Sequence, residues 1–201
     1  MSLLARLREQ LRAHRPQDLP SHSWRRAAVL VPVFERDGTT YLLLTKRTET
    51  VEHHKGQISF PGGGEEPGDA SLRETALRET YEEIGLEPST VEILGRLDEV
   101  ETVVSGFAVT PFVGAIPPPN RLRPNPNEID EIVTLPLAIF QEPGRVRAER
   151  VVRAGRVVDL LYYNCGRWTV WGLTARIIRN LLDVLEGRVA EAAPPPAANE
   201  P

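Results

Sequence analysis

Cysteine is nearly absent: Cys165 is the only one among 201 residues. That excludes an intramolecular disulfide and a thiolate metal cluster, and it points to a reducing, cytoplasmic setting. Long apolar runs are missing too. None approaches the roughly 20 residues that a spanning helix needs, so no membrane partner is expected. A surplus of positive charge is also lacking, with a formal net charge of -4 and a pI near 5.7. This argues against a nucleic-acid or anionic-membrane binder, while a local basic patch still permits an anionic small substrate. There is no internal repeat, and the N-terminus has no secretory apolar core.

What is present is ordinary globular composition, 41% hydrophobic and 26% charged, with 18 prolines and 15 glycines. It suggests one domain with extra elements. The N-terminus places Leu3, Leu4, Leu7 and Leu11 at helical spacing. We read residues 1–23 as a docked helix and linker, with an Arg-rich transit peptide as the alternative. Residues 24–188 form the domain, and the Pro/Ala-rich stretch 189–201 is expected to be a disordered tail.

Within the domain, 27–34 and 39–47 read as strands joined by the hairpin turn Glu-Arg-Asp-Gly. A long polar, Gly-rich loop over 48–69 follows, which is uncommon in a compact domain unless it has a function. A helix is expected from about Ala70 to Ile84, capped by Asp69 or Ser71 and closed by Gly85. Ser71 with Glu74 makes a capping-box pattern. Further strands are expected over 90–100, 106–116 and 129–137, with a short helical piece at 137–140. A hairpin turning at Ala154 and Gly155 comes next, and then a final helix over roughly 169–187. That helix carries Val170, Leu173, Ile177, Leu181, Val184 and Leu185 as its apolar stripe.

The helix after the long loop is crowded with acid. Glu79 and Glu83 lie about 40° apart around it, and Glu82 about 60° to the other side. They flank the apolar stripe of Ala76, Leu77, Thr80 and Ile84, where water screens charge poorly. Like charges at this spacing repel, so the cluster needs a counter-charge. Arg78 supplies one, a turn from both Glu82 and Glu74. A hard divalent cation, which prefers oxygen ligands, is the other candidate. The alternative is a solvated acidic helix face. The preceding Phe-Pro-Gly-Gly-Gly turn can bring backbone close to a metal or phosphate.

This combination resembles the Nudix hydrolase box, G-x5-E-x7-R-E-U-x-E-E-x-G-U. Gly64, Arg78, Glu79, Glu82, Glu83, Gly85 and Leu86 fall in register, while Ala70 replaces the first glutamate and Thr80 an apolar residue. The resemblance implies an α/β class fold, a Nudix-type α/β/α sandwich with a mixed β-sheet. It also implies metal-dependent hydrolysis of a nucleoside diphosphate derivative. By position, Glu79, Glu82 and Glu83 would bind Mg²⁺ or Mn²⁺ with the Gly63 carbonyl, and Arg78 would orient the glutamates. Asp69 or Glu66 could cover the missing acid at 70.

Residues 43–63, Leu-Leu-Thr-Lys-Arg through Phe-Pro-Gly-Gly, also resemble the signature of the coenzyme A pyrophosphatase branch. Leu43, Leu44, Thr45, Arg47, Gly56, Phe60, Pro61, Gly62 and Gly63 match, while Thr48 and Glu52 depart from it. The resemblance implies coenzyme A as the small-molecule substrate, cleaved to 3′,5′-ADP and 4′-phosphopantetheine. ADP-ribose or NADH hydrolysis is the alternative, and a non-catalytic binding module the rival from another class. Arg47 and Lys55 are expected to contact phosphate, the alternative for Arg47 being a structural pair with a carboxylate. Gly62, Gly63 and Phe60 would shape the substrate loop. His53 and His54 read as packing or solvent features. Trp168 and Trp171 read as core, with an aromatic wall for the substrate as the alternative. Glu99, Glu101, Glu128 and Glu131 are candidates for a further acid. A homodimer is compatible with all of this.

Overall fold

The computed structural model describes residues 2–20, 24–48, 56–102, 106–153 and 156–188. Lys55, Glu52, His53, His54, the Ala154-Gly155 turn and the 189–201 tail lie outside the described residues.

Among the described residues, one mixed sheet of eight strands organises the chain. Its centre is β1 (Arg25–Arg36), twelve residues whose apolar run is buried on both sides. Asp37 and Gly38 both have positive φ, as the tight turn into β2 (Thr39–Arg47) requires. β2 covers the second half of β1, and the short β4 (Gly62–Gly64) covers the first half. On the other side β7 (Phe107–Ala115) runs parallel to β1 over Arg25 to Val33. Outside these lie β3 (Ile58–Ser59), β5 (Glu92–Arg96), β6 (Val100–Glu101) and β8 (Ile129–Pro136). The expected long loop thus holds two short strands. The expected strand over 90–100 is two pieces, because the residues between them turn to meet the N-terminal segment.

Alternation along β1 and β2 sends side chains to two separate cores. Ala28, Leu30, Phe34 and Leu43 pack with Leu72, Ala76 and Ile84 of α2 (Leu72–Ile84). Val31, Val33, Leu42 and Leu44 pack with Leu7 and Leu11 of α1 (Leu3–Ala13) and with Ile177, Ile178 and Leu181 of α3 (Gly172–Leu185). The sheet is therefore sandwiched between helices, as the fold class predicts.

A smaller sheet of β9 (Val146–Arg153), β10 (Arg156–Cys165) and β11 (Trp168–Trp171) lies under the second core. β11 corrects the expected start of the last helix at 169. Residues 168–171 are β-prone and pair with Tyr162 to Cys165, and Gly172, at φ 64°, turns the chain into α3. Trp171 consequently stacks on Tyr162 at 6.1 Å between ring centroids.

Candidate active site

α2 begins where Ser71 accepts a hydrogen bond from the Glu74 N–H, and Glu74 reaches back to the Ala70 N–H at 2.8 Å. It ends at Gly85, whose left-handed conformation releases the chain. Two late carbonyls are then satisfied from a distant turn. The Arg123 N–H donates to the Ile84 carbonyl, and the Asn125 N–H to the Glu83 carbonyl, both at 2.8 Å.

Arg78 is the hub of the acidic face. Its Nε and Nη2 grip the two oxygens of Asp69 at 2.9 and 3.1 Å, and Nη2 also donates to the Gly64 carbonyl at 3.2 Å. Nη1 is shared between Glu79 Oε1 at 3.0 Å and Glu82 Oε2 at 3.1 Å. The sequence reading pairs Arg78 with Glu82 and Glu74. The structure keeps Glu82 and replaces Glu74 by Asp69, because Glu74 is occupied in capping. Asp69 in turn accepts from Thr75 Oγ1 and the Glu66 N–H. Those donors and the guanidinium hold its carboxyl far below the usual range, and Asp69 raises Arg78 above its own. Nothing local in the sequence singles out this partner, since the grip depends on how 65–70 folds back over the helix.

The three glutamates differ in depth. Glu82 is half exposed, Glu79 keeps 18% of its side chain accessible, and Glu83 only 3%. Glu79 lies against Gly63, where a Cβ would fall 2.5 Å from its carboxylate carbon. Burial raises the Glu79 pKa against the pull of Arg78. Burial pushes Glu83 up to about 8, opposed chiefly by Arg47. Arg47, at the end of β2, donates from Nη1 to Glu83 Oε1 at 3.3 Å, which is the carboxylate pairing weighed as its alternative role. Its Nη2 stands 3.9 Å from Glu128 Oε2, too far for a hydrogen bond.

Of the four further acids considered, Glu128 alone adds its charge to Glu79 and Glu83. Glu99 is taken by Thr110 and the Leu19 N–H, and Glu131 by Arg167. Glu101 lies on β6, where its carbonyl accepts from Arg176. Phe60, 4% exposed, points into the core and supports the loop from beneath. Gly62 lies so close to β1 that a Cβ would meet the Ala28 carbonyl oxygen at 2.3 Å. The structure thus brings Arg47, Gly62, Gly63, Arg78, Glu79 and Glu83 together, with Glu82 at the rim.

A sequence profile of the NUDIX domain matches residues 24–154. The chain belongs to the Nudix family. Nudix hydrolase NudL of Cronobacter sakazakii is 43% identical over 170 residues, covering 83% of this chain and 86% of that protein. The NudL of Escherichia coli is 42% identical over 159 residues, 78% of this chain and 81% of the relative. A crystal structure of a MutT/nudix family protein from Enterococcus faecalis shares the fold. Its TM-score is 0.54 at 16% identity, over 92% of this chain and 75% of that one. Nudix enzymes hydrolyse nucleoside diphosphate derivatives and use divalent cations such as Mg²⁺ or Mn²⁺.

The site suits such a cation in its donor chemistry. Glu83 Oε2 is buried with no hydrogen-bond partner, which is costly for a carboxylate. As placed, no three acids converge into a ready-made cage among the described residues, because Arg78 holds Glu79 and Glu82 on one side and Arg47 holds Glu83 on the other.

Proposed function

We propose that this protein hydrolyses the diphosphate linkage of coenzyme A or its derivatives, releasing 3′,5′-ADP and 4′-phosphopantetheine. One observation carries the reading. The two described ends of the segment that resembles the coenzyme A pyrophosphatase signature, 43–48 and 56–63, both reach the acidic helix. Its Arg47 meets Glu83, and its Gly63 meets Glu79. A signature and a hydrolytic box that share contacts act as one site.

Glu79, Glu82 and Glu83, with the Gly63 carbonyl, would hold the divalent cation. Bound there, it supplies neutralising charge to the diphosphate oxygens and acidity to a water. The remaining work falls to the chain. Arg78 is a positioning residue that fixes the Glu79 and Glu82 rotamers from its anchor on Asp69. Glu79 is the carboxylate we assign to take a proton from the attacking water, a reading that its partial exposure and raised pKa support. Arg47 Nη2, poorly engaged by Glu128, is the donor we assign to a substrate phosphate, together with Lys55 in the loop outside the described residues. Gly62 and Gly63 keep the backbone ledge free of side chains where the diphosphate approaches.

Hydrolysis of coenzyme A with Mg²⁺ or Mn²⁺ tests this, with products read by mass spectrometry beside dephospho-coenzyme A, ADP-ribose and NADH. Release of 3′,5′-ADP and phosphopantetheine as the preferred reaction is the expected result. Faster turnover of ADP-ribose or NADH would leave the family activity standing and overturn the substrate. No metal-dependent turnover of any of the four would favour a binding module.

A further inference from the structure

On the α2 face of the sheet, beyond the glycine ledge, lies a cleft of about 350 Å³ that the chemistry above does not use. Its walls include Trp24 and Arg26 at the start of β1, Ala108 on β7, Arg96 at the end of β5, and Asp18 with Glu99. The volume is that of a small-ligand site. The N-terminal segment builds one wall and is firmly held. The Leu19 N–H donates to Glu99 Oε2 at 3.0 Å, Thr110 Oγ1 donates to Glu99 Oε1 at 2.9 Å, and Arg96 pairs with Asp18 at 2.6 Å. A little upstream, the Gln17 N–H and His14 Nε2 both meet Asp98.

Within the cleft these charges are therefore matched to one another or to backbone. Arg26 is the exception. Its side chain is exposed, and no carboxylate among the described residues pairs with it.

Register places Arg26 relative to the acidic helix. Ala28 pairs with Gly63, the residue on which the Glu79 carboxylate rests. Side chains two apart on a strand share a face, so Arg26 stands on the Glu79 face about 7 Å further along β1. Its carbonyl accepts from the Glu65 N–H at 3.0 Å, which ties this point of β1 to the chain leaving the ledge. Its parallel neighbour Ala108 presents only a methyl group and leaves room beside the guanidinium. Moving away from Glu79, the surface offers a ledge, then an uncommitted cation, then a cleft with an aromatic wall.

We propose that this cleft is the nucleoside subsite, in which Arg26 takes a phosphate monoester on the ribose and the purine base lies against Trp24. The inference rests on coenzyme A being the substrate, since its adenosine end carries a 3′-phosphate besides the diphosphate. Diphosphate, phosphorylated ribose and base follow one another in the same order as ledge, cation and ring. A guanidinium fork matches a phosphate monoester in shape and charge. The balanced charges deeper in the cleft suit a neutral, planar base on an indole.

The test is calorimetric titration of the full chain with adenosine 3′,5′-bisphosphate and with adenosine 5′-monophosphate, repeated on Arg26→Ala, Arg26→Lys and Trp24→Ala. The unmodified protein is expected to prefer the bisphosphate. Arg26→Ala should weaken it by roughly 10- to 100-fold and abolish the preference. Arg26→Lys should restore part of the preference, and Trp24→Ala should weaken both nucleotides alike. Thermal melts establish that the variants are folded, and exposed Arg26 can be changed without opening the core. Equal binding of the two nucleotides by the unmodified chain, binding of neither, or a preference that survives Arg26→Ala would overturn the proposal. The titrations need no turnover, so they are read separately from hydrolysis. Coenzyme A cleavage with no effect of Arg26 sinks the subsite alone, whereas failure to cleave coenzyme A sinks the substrate reading.

Discussion

Adjacent glycines, Gly62 and Gly63, fail in different ways when a methyl group is added. At Gly62 the new Cβ would strike fixed backbone, the Ala28 carbonyl oxygen at 2.3 Å and Val29 Cα at 2.6 Å. At Gly63 the nearest atoms it would strike all belong to the movable end of Glu79. Gly62→Ala should therefore cost about 2 to 3 kcal/mol of stability. Gly63→Ala should cost less than about 1 kcal/mol yet lose most of its turnover, because Glu79 is pushed from its place. Urea titrations beside initial rates separate the two outcomes, and similar stabilities would contradict the ledge. Glu83 makes a pH prediction. Burial pushes its carboxyl up to about 8 in the folded protein, from an ordinary value of 4.5. Folding thus favours the protonated form: the group's contribution to stability is fully present below pH 4.5 and is lost as pH rises through 8. In chelator, the stability of the unmodified protein relative to Glu83→Gln should fall between pH 5 and pH 9, by an amount on the order of 2 kcal/mol or more. Saturating Mn²⁺ should flatten that slope, since the metal binds the ionised carboxylate. A slope that is unchanged by Mn²⁺ would argue against Glu83 as a ligand.

At the scale of elements, α2 was readable because its information is local: a 3.6-residue period, a Ser/Glu cap and a closing glycine all lie in one short stretch. The same stretch carries the box, so Arg78, Glu79, Glu82 and Glu83 were legible with it. What was not legible depends on chain brought from elsewhere. Asp69 becomes the anchor of Arg78 only when residues 65–70 fold back. Glu128 nears Glu83 because β8 pairs with β2 across more than eighty residues of sequence. The start of α3 falls later than the helical stripe suggests for a related reason, as Val170 fits a helical stripe and a strand equally well until β10 supplies a partner. Arg26 gave no signal beside Arg25, and only register against Gly63 sets the two apart. Asp69→Asn tests how far the loop governs the helix. The Arg78 grip should loosen and turnover should fall by about tenfold or more, as for other residues supporting a metal site. Far-UV circular dichroism should be unchanged. Full activity in Asp69→Asn would show that Arg78 needs no anchor.

For the molecule as a whole, β1 is the shared member of pairings that differ greatly in reach. β2 joins it through a two-residue turn, β4 from about thirty residues on, and β7 from about eighty. Contacts between distant segments pay a large loop-closure entropy before they are rewarded, and they form slowly. The hairpin can therefore form early, while the parallel β1–β7 pair and the closing of β8 on β2 come late. The candidate carboxylates belong to the middle of the chain, on a helix whose contacts are local enough to form before either late strand arrives. Refolding followed in parallel by circular dichroism and by turnover should show helix returning first and activity only with the slowest phase. Activity that tracked the early helix signal would mean that the walls are dispensable. During synthesis the order has a protective side. The acidic helix leaves the ribosome well before Glu128, so a nascent chain holds its glutamates without the turn whose Asn125 N–H meets the Glu83 carbonyl. Turnover is therefore expected only once β8 has paired with β2.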